Sequence, residues 1–234
     1  MDAHRQKVHS LFSRIAGRYD TMNTILSFNM DRYWRSRTLS VASPKPGERW
    51  LDVCCGTGKI TLEIGRRLGA GGGVNGLDFN AAMLQVAKQA ETDAKLPAPV
   101  NWLEGDALML PFPDGSFDGV TIGFGLRNLP DYDAGIREMA RVLKAGGRLV
   151  CLELSHPVWP VFKQGHAFFV RYLVPRIGNV GLGNQSDYRW LPESLRLFPG
   201  AEELAEKMRR CGLEKVRFER LSGGIAAIHI GFKG

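Results

Sequence analysis

The chain has 234 residues, 44% of them hydrophobic, and carries a formal net charge of +7. That length suits one sizeable α/β domain; no linker-like tract or internal repeat divides it, and no run of about 18 apolar residues is present to cross a bilayer. The first residues lack the apolar core of a signal peptide, so the chain is expected in the cytoplasm, and Cys54, Cys55, Cys151 and Cys211 lack metal-ligand spacing and read as buried free thiols, with no metal site expected. The basic residues are scattered, with clusters at Arg32, Arg35, Arg37 and at Lys207, Arg209, Arg210. They read first as solvated helix faces, second as an attraction to an anionic membrane leaflet and third as an RNA surface; no nucleic-acid partner is expected, because no RNA-binding signature accompanies them.

Val8, Leu11, Phe12 and Ile15 fall at i, i+3, i+4 and i+7, the spacing of an amphipathic helix that stops near Gly17. A second helix is expected over 31–41, ending before Pro44-Lys45-Pro46-Gly47. Residues 1–46 are thus expected to form an N-terminal helical cap over the site. From Arg49 the chain alternates: strand one, a helix over 59–68, strand two near 74–77, a helix over 80–91 capped by Asn80, strand three near Val100 and strand four over 117–122. A helix starting at Asp131 or Asp133 runs to Lys144, and strand five covers 148–154. This repetition implies a parallel sheet with helices on both faces. Residues 213–221 and 225–232 flank Ser222-Gly223-Gly224 as a hairpin, so the last of seven strands should run antiparallel. Between strand five and a helix at Ala201 lies an apolar insertion, residues 156–200, that contains Trp159, Phe162, Phe168, Phe169 and Tyr172. Segments of this length are commonly lids or binding elements; the alternative is a helix packed on the core.

Leu51-Asp52-Val53-Cys54-Cys55-Gly56-Thr57-Gly58 joins an acid-bearing strand to a Gly-x-Gly turn, and Asp52, Gly56, Thr57 and Gly58 are therefore candidate ligand contacts. Glycines allow positive φ and close approach, and the following helix offers free N–H groups. Asp78 ends the second strand 26 residues beyond Asp52, where a carboxylate can accept both hydroxyls of an adenosine ribose. The third glycine of a pyrophosphate-binding fingerprint is replaced by Thr61, and no triphosphate loop is present. An adenosine ligand without phosphates fits better, and S-adenosylmethionine is such a ligand. Asp106, in Glu104-Gly105-Asp106-Ala107, adds an acid at the third strand end that can reach the adenine amino group.

Three further segments converge: Tyr19-Asp20-Thr21-Met22-Asn23 with Trp34-Arg35, Gly123-Phe124-Gly125-Leu126-Arg127-Asn128, and Ser186-Asp187-Tyr188-Arg189-Trp190-Leu191. With them nearly the whole chain resembles the quinone-biosynthesis C-methyltransferases, which methylate demethylmenaquinol and related ubiquinone precursors; the Cys-Cys-Gly-Thr-Gly loop leans towards the menaquinone branch. The resemblance implies a Rossmann-like class I S-adenosylmethionine-dependent fold. It implies cofactor contacts at Thr57, Asp78, Asp106 and Ala107, and a polyprenylated quinol as substrate. Two departures stand out: Lys59 replaces an acid common after the glycine turn, and Gly123 stands where some ubiquinone-branch members have serine.

A sulfonium methyl needs an electron-rich carbon, so the ring must be reduced and one hydroxyl deprotonated. In-line alignment is then a proximity effect, and the developing phenolate needs stabilisation. Arg127 and Asn128 are the candidates for that role. Arginine stays protonated, so the proton goes to water, Tyr19, Tyr188 or His156. The structural alternatives are an Arg127 ion pair with Asp131 or Asp133 and, for His156, a simple His-Pro turn. Tyr188, His156, Phe168 and Phe169 are expected near the substrate, and peripheral contact with the inner membrane face follows from the insoluble polyprenyl tail; a homodimer is left open. The competing classes are a non-catalytic assembly protein, disfavoured by the intact acids and glycines, and an RNA methyltransferase, disfavoured by the apolar insertion.

Overall fold

The structure is a computed structural model that describes residues 3–94, 96–97, 100–158 and 190–234. In β1 (Arg49–Val53) every residue after the first is buried, which an α/β sheet tolerates only at its centre. β2 (Gly73–Asp78) pairs with one edge of β1 and β4 (Phe117–Gly123) with the other, both parallel. β3 (Asn101–Glu104) adds to β2, and β5 (Leu143–Leu154) to β4, again parallel. The order across the seven strands is β3-β2-β1-β4-β5-β7-β6. β6 (Leu213–Leu221) and β7 (Ala226–Lys233) form the expected hairpin around a short 3-10 turn at Ser222–Gly224. β7 inserts between β5 and β6 and is antiparallel to both. The last strand is thus interior, and β6 takes the edge.

Helices cover both faces because each carries one apolar stripe. α4 (Lys59–Leu68) buries Ile60, Ile64 and Leu68 against Trp50, Val74 and Val150, a layer shared with Trp34 and Leu39 of α3 (Met30–Ala42). On the opposite face α6 (Tyr132–Val142) buries Ile136 and Met139 against Leu51, Val120 and Leu149, beside Leu204 and Met208 of α8 (Ala201–Arg210). Each such side chain contributes about 1.5–3 kcal/mol on burial. Asp131 caps α6 as one of the two expected residues, accepting the Ala134 N–H at 2.9 Å. Asn80 caps α5 (Ala81–Ala94) through the N–H groups of Ala82 and Met83.

The structure departs from the expected elements in three places. The region between the first two expected helices holds a 3-10 turn at Ala16–Arg18 and then α2 (Tyr19–Leu26), which follows α1 (Ala3–Ile15). α6 stops at Val142 rather than Lys144, because Leu143 already pairs with Phe117 and the ladder shifts register before Arg148 meets Gly119. Within the insertion, α7 (Trp190–Leu197) is helical; Trp159, Phe162, Phe168, Phe169, Tyr172 and Tyr188 lie outside the described residues. Among the described residues no helix is long and apolar enough to cross a membrane.

Candidate active site

From β1 the chain winds one way through β2 and β3, whereas β4 and β5 lie on the other side, so a crevice opens at the carboxyl ends of β1 and β4. The loop after β1 is shaped for that edge: Cys54, Gly56 and Gly58 have φ of 53°, 55° and 79°. A Cβ on Gly58 would stand 2.6 Å from the Trp102 ring, so the residue needs glycine for its backbone and for its space. A cavity of ≈ 440 Å³ fills the crevice, within the range of small-molecule sites. Cys54, Gly56, Asp78, Asp106, Ala107, Asn128 and Tyr19 stand on its walls.

Asp78 is the buried acid of this cavity. Its Oδ2 accepts the Gly56 N–H at 2.8 Å and its Oδ1 the Asn80 N–H at 2.9 Å. Burial pushes its pKa up to about 6, opposed by those amide hydrogen bonds. Asp106 sits at the next strand end, with Oδ1 accepting the Leu108 N–H at 2.9 Å and Oδ2 paired with Arg5 at 2.8 Å. Leu77, Phe79 and Met83 supply apolar wall between the two acids.

Asp52 is brought to the same loop but not to the cavity. Both its oxygens are taken by hydroxyls, from Thr61 at 2.6 Å and Thr121 at 2.7 Å, and burial raises its pKa to about 6. The cofactor contact expected of Asp52 is corrected accordingly: it ties β1, α4 and β4 together beneath the loop. Thr57 is 3% exposed and donates to Asp20 of α2 at 2.9 Å, and Lys59 pairs with the same Asp20 at 3.5 Å. Thr57 and Gly58 thus shape the loop from behind the cavity wall.

Arg127 departs from its expected role more sharply. Its guanidinium binds Glu153 of β5 at 2.6 Å and the Phe124 carbonyl at 2.7 Å, with the Arg127 side chain 9% and the Glu153 side chain 1% exposed. It is an ion pair, but with neither Asp131 nor Asp133; Asp133 instead pairs with Lys207 at 3.2 Å. Arg127 stands behind the wall. Phe124, whose carbonyl it holds, and Asn128 line the cavity. Asn128 Nδ2 donates to the Phe124 carbonyl at 3.2 Å, and its Oδ1 accepts the Trp190 indole N–H at 2.8 Å. His156 is exposed, follows β5 with Nε2 3.1 Å from the Phe198 carbonyl, and is not among the described residues that line the cavity.

The roof of the cavity comes from the N-terminal helices, of which the sequence reading names Tyr19 alone as a site residue. Arg5, Val8, His9 and Phe12 of α1 line it together with Tyr19, whose ring meets Phe12 edge to face. Asn80 Nδ2 donates to the His9 carbonyl and to Ser13 Oγ, both at 2.9 Å, and the His9 ring meets Phe79 edge to face. The sequence signal for Val8 and Phe12 is the amphipathic stripe of α1, which marks a packed face without naming the residues it meets.

The pattern that defines the ubiE/COQ5 methyltransferase family matches residues 1–233. The chain belongs to that family. A demethylmenaquinone methyltransferase from Bacillus cereus is 43% identical over 228 residues, covering 97% of this chain and 96% of that protein. One from Staphylococcus aureus is 43% identical over 231 residues, covering 99% and 95%. Among solved structures, an S-adenosylmethionine-dependent methyltransferase from Aquifex aeolicus aligns with a TM-score of 0.63 at 18% identity, covering 86% of this chain and 89% of its own. A protein described as a possible histamine N-methyltransferase, from Thermotoga maritima, aligns at 0.64 and 19% identity, covering 97% and 99%. Family and fold make this chain an S-adenosylmethionine-dependent methyltransferase of Rossmann-like class I architecture.

Proposed function

We propose that this methyltransferase converts demethylmenaquinol to menaquinol in menaquinone biosynthesis, acting on a polyprenylated quinol as a peripheral protein at the cytoplasmic face of the membrane. The observation that carries the reading is one ≈ 440 Å³ cavity with Asp78 and Asp106 on the β2 and β3 side and Asn128 and Tyr19 on its walls. The 43% identity to the demethylmenaquinone methyltransferases supports the choice of ring. The net charge of +7 supports contact with an anionic leaflet.

The residues present fit the donor. Asp78 keeps a lone pair on each oxygen beyond those used by Gly56 and Asn80, which suits a vicinal diol. Asp106 accepts the adenine amino group beside Arg5, and Leu77, Phe79, Met83 and Ala107 enclose the base. When bound, the donor would supply an electrophilic methyl to the ring carbon with the C–S electron pair left on sulfur, and aromaticity would return as the displaced ring proton passes through water to the quinol oxygen. Tyr19 and Asn128 hold the quinol oxygen and stabilise its negative charge, with Asn128 fixed by Trp190 and by the Phe124 carbonyl that Arg127 grips. The cap, residues 1–46, excludes water through α1 and Tyr19. The apolar insertion 156–200 meets the prenyl tail.

The deciding experiment is methyl transfer from labelled S-adenosylmethionine to reduced demethylmenaquinone and, separately, to its benzoquinol counterpart. Transfer to the naphthoquinol at higher kcat/KM is expected; transfer to neither ring ends the reading.

A further inference from the structure

The two acids of the cavity account for the adenosine half of the donor, but the amino-acid half carries a carboxylate that needs positive charge. With adenosine held over β2 and β3 by Asp78 and Asp106, as proposed above, the tail extends past the glycine loop towards β4, the neighbour of β1 on the other side. α2 and α3 border that end. Asp20 of α2 holds Thr57 of the loop at 2.9 Å, and Asn23 lies one turn further along the same helix face. α3 packs against α4 and β4 and brings the Arg35 guanidinium to 5.6 Å from the ring centroid of Phe124, a wall of the cavity.

Two polar atoms in this corner are buried without a hydrogen-bond partner among the described residues, Asn23 Nδ2 and Arg35 Nε. A buried donor left unsatisfied is costly, and such atoms in a native fold call for a partner. The ion pair of Arg35 with Asp31 is long, 3.5 Å through Nη2, and Asp31 is already engaged by the Ser27 hydroxyl at 3.1 Å. The Arg35 side chain is 16% exposed. Lys59 also stands at this end, but it is 53% exposed and held by Asp20. Arg35 therefore combines low hydration, planar donors and an unused N–H, the properties that suit a carboxylate.

We propose that Arg35, backed by Asn23, receives the α-carboxylate of the donor's amino-acid tail. The proposal rests on the cofactor reading above and adds the subsite for its charged end. It also assigns Lys59 a separate place: Asp20 neutralises that cation beside the glycine loop while Arg35 takes the tail.

The test compares two ligands by calorimetry, S-adenosylhomocysteine and 5′-methylthioadenosine, which shares the adenosine and thioether but lacks the amino-acid end. Arg35→Met is expected to weaken S-adenosylhomocysteine by roughly tenfold or more, the range of a charge-assisted hydrogen bond, while 5′-methylthioadenosine changes less than about twofold. Arg35→Lys should recover part of the loss, and Asn23→Leu should give a smaller loss with the same ligand dependence. Equal weakening of both ligands would mean that Arg35 only packs the fold, and unchanged affinity for both would place the carboxylate elsewhere; either result overturns the proposal. If Arg35→Met fails to fold, the Arg35→Lys and Asn23→Leu pair decides in the same way. Asp78→Ala separates this proposal from its foundation: it should weaken both ligands, and no effect on either would remove the cofactor reading itself.

Discussion

The Arg127 guanidinium lies 2.6 Å from the Glu153 carboxylate, with both side chains withdrawn from solvent, and the same nitrogen reaches the Phe124 carbonyl at 2.7 Å. Breaking a buried pair from one side strands the other charge and costs about 3–5 kcal/mol. Arg127→Met should therefore lower the unfolding free energy by about that amount in denaturant titrations, and Arg127→Met with Glu153→Met should recover most of it. In the folded double variant kcat should remain depressed, because the Phe124 carbonyl that orients Asn128 has lost its anchor. Cofactor affinity should be nearly unchanged. A double variant with full kcat would show that the anchor is dispensable.

Asp78 must be ionised to accept the ribose diol, and burial raises its pKa to about 6. The sign follows: above pH 6 the carboxylate is already charged and affinity is flat, whereas below it each pH unit should weaken S-adenosylhomocysteine binding by about tenfold. Asp78→Asn should bind more weakly and lose that slope. The same raised value makes the ligand-free fold gain stability from this group below the unfolded carboxylate range and lose it as pH rises through about 6. Calorimetry between pH 5 and pH 8 reads both effects, and a slope that persists in Asp78→Asn would assign the titration elsewhere.

Asn80 does two jobs through two ends of one amide. Its oxygen caps α5, and its nitrogen holds α1 through His9 and Ser13. Asn80→Ala should cost about 0.5–2 kcal/mol from the lost cap alone. Asn80→Asp keeps an acceptor for the cap but removes both donors to α1, so amide exchange should quicken in α1 more than in α5. Equal acceleration in both helices would argue against a separately anchored cap.

The membrane and tail assignments rest on the apolar insertion and the positive charge. Each prenyl CH₂ transferred from water contributes about 0.8 kcal/mol, so tail contacts should show as a chain-length effect. Replacing Phe168 and Phe169 with serine is expected to reduce activity on long-chain quinols more than on short-chain analogues. Retention on anionic liposomes should exceed that on neutral ones and fall with salt. Equal losses on both substrates, with unchanged retention, would make the segment ordinary core.

The sequence by itself determined what depends on neighbours along the chain. Helix stripes, the Asn80 and Asp131 caps, the glycine loop and the hairpin at Ser222–Gly224 are local patterns, and the strand–helix alternation they punctuate leads to an α/β sheet with its acids at one edge. Only the tertiary structure decided which distant groups meet. Whether Arg127 reaches a quinol or a carboxylate depends on Glu153 of the neighbouring strand β5, 26 residues along the chain, and the local candidates Asp131 and Asp133 are used as a cap and in a pair with Lys207. Asp52 looks like a ligand contact because it precedes a glycine turn, yet Thr61 and Thr121 arrive from α4 and β4 to claim both oxygens. The stripe of α1 implies burial, but its place over Phe79 and Asp106 follows from Asn80 and Arg5 finding partners across the fold. The physical reason is the same in each case: an apolar period fixes which face is buried, whereas a polar side chain takes the partner that folding brings within about 3 Å, and that proximity is not encoded in spacing.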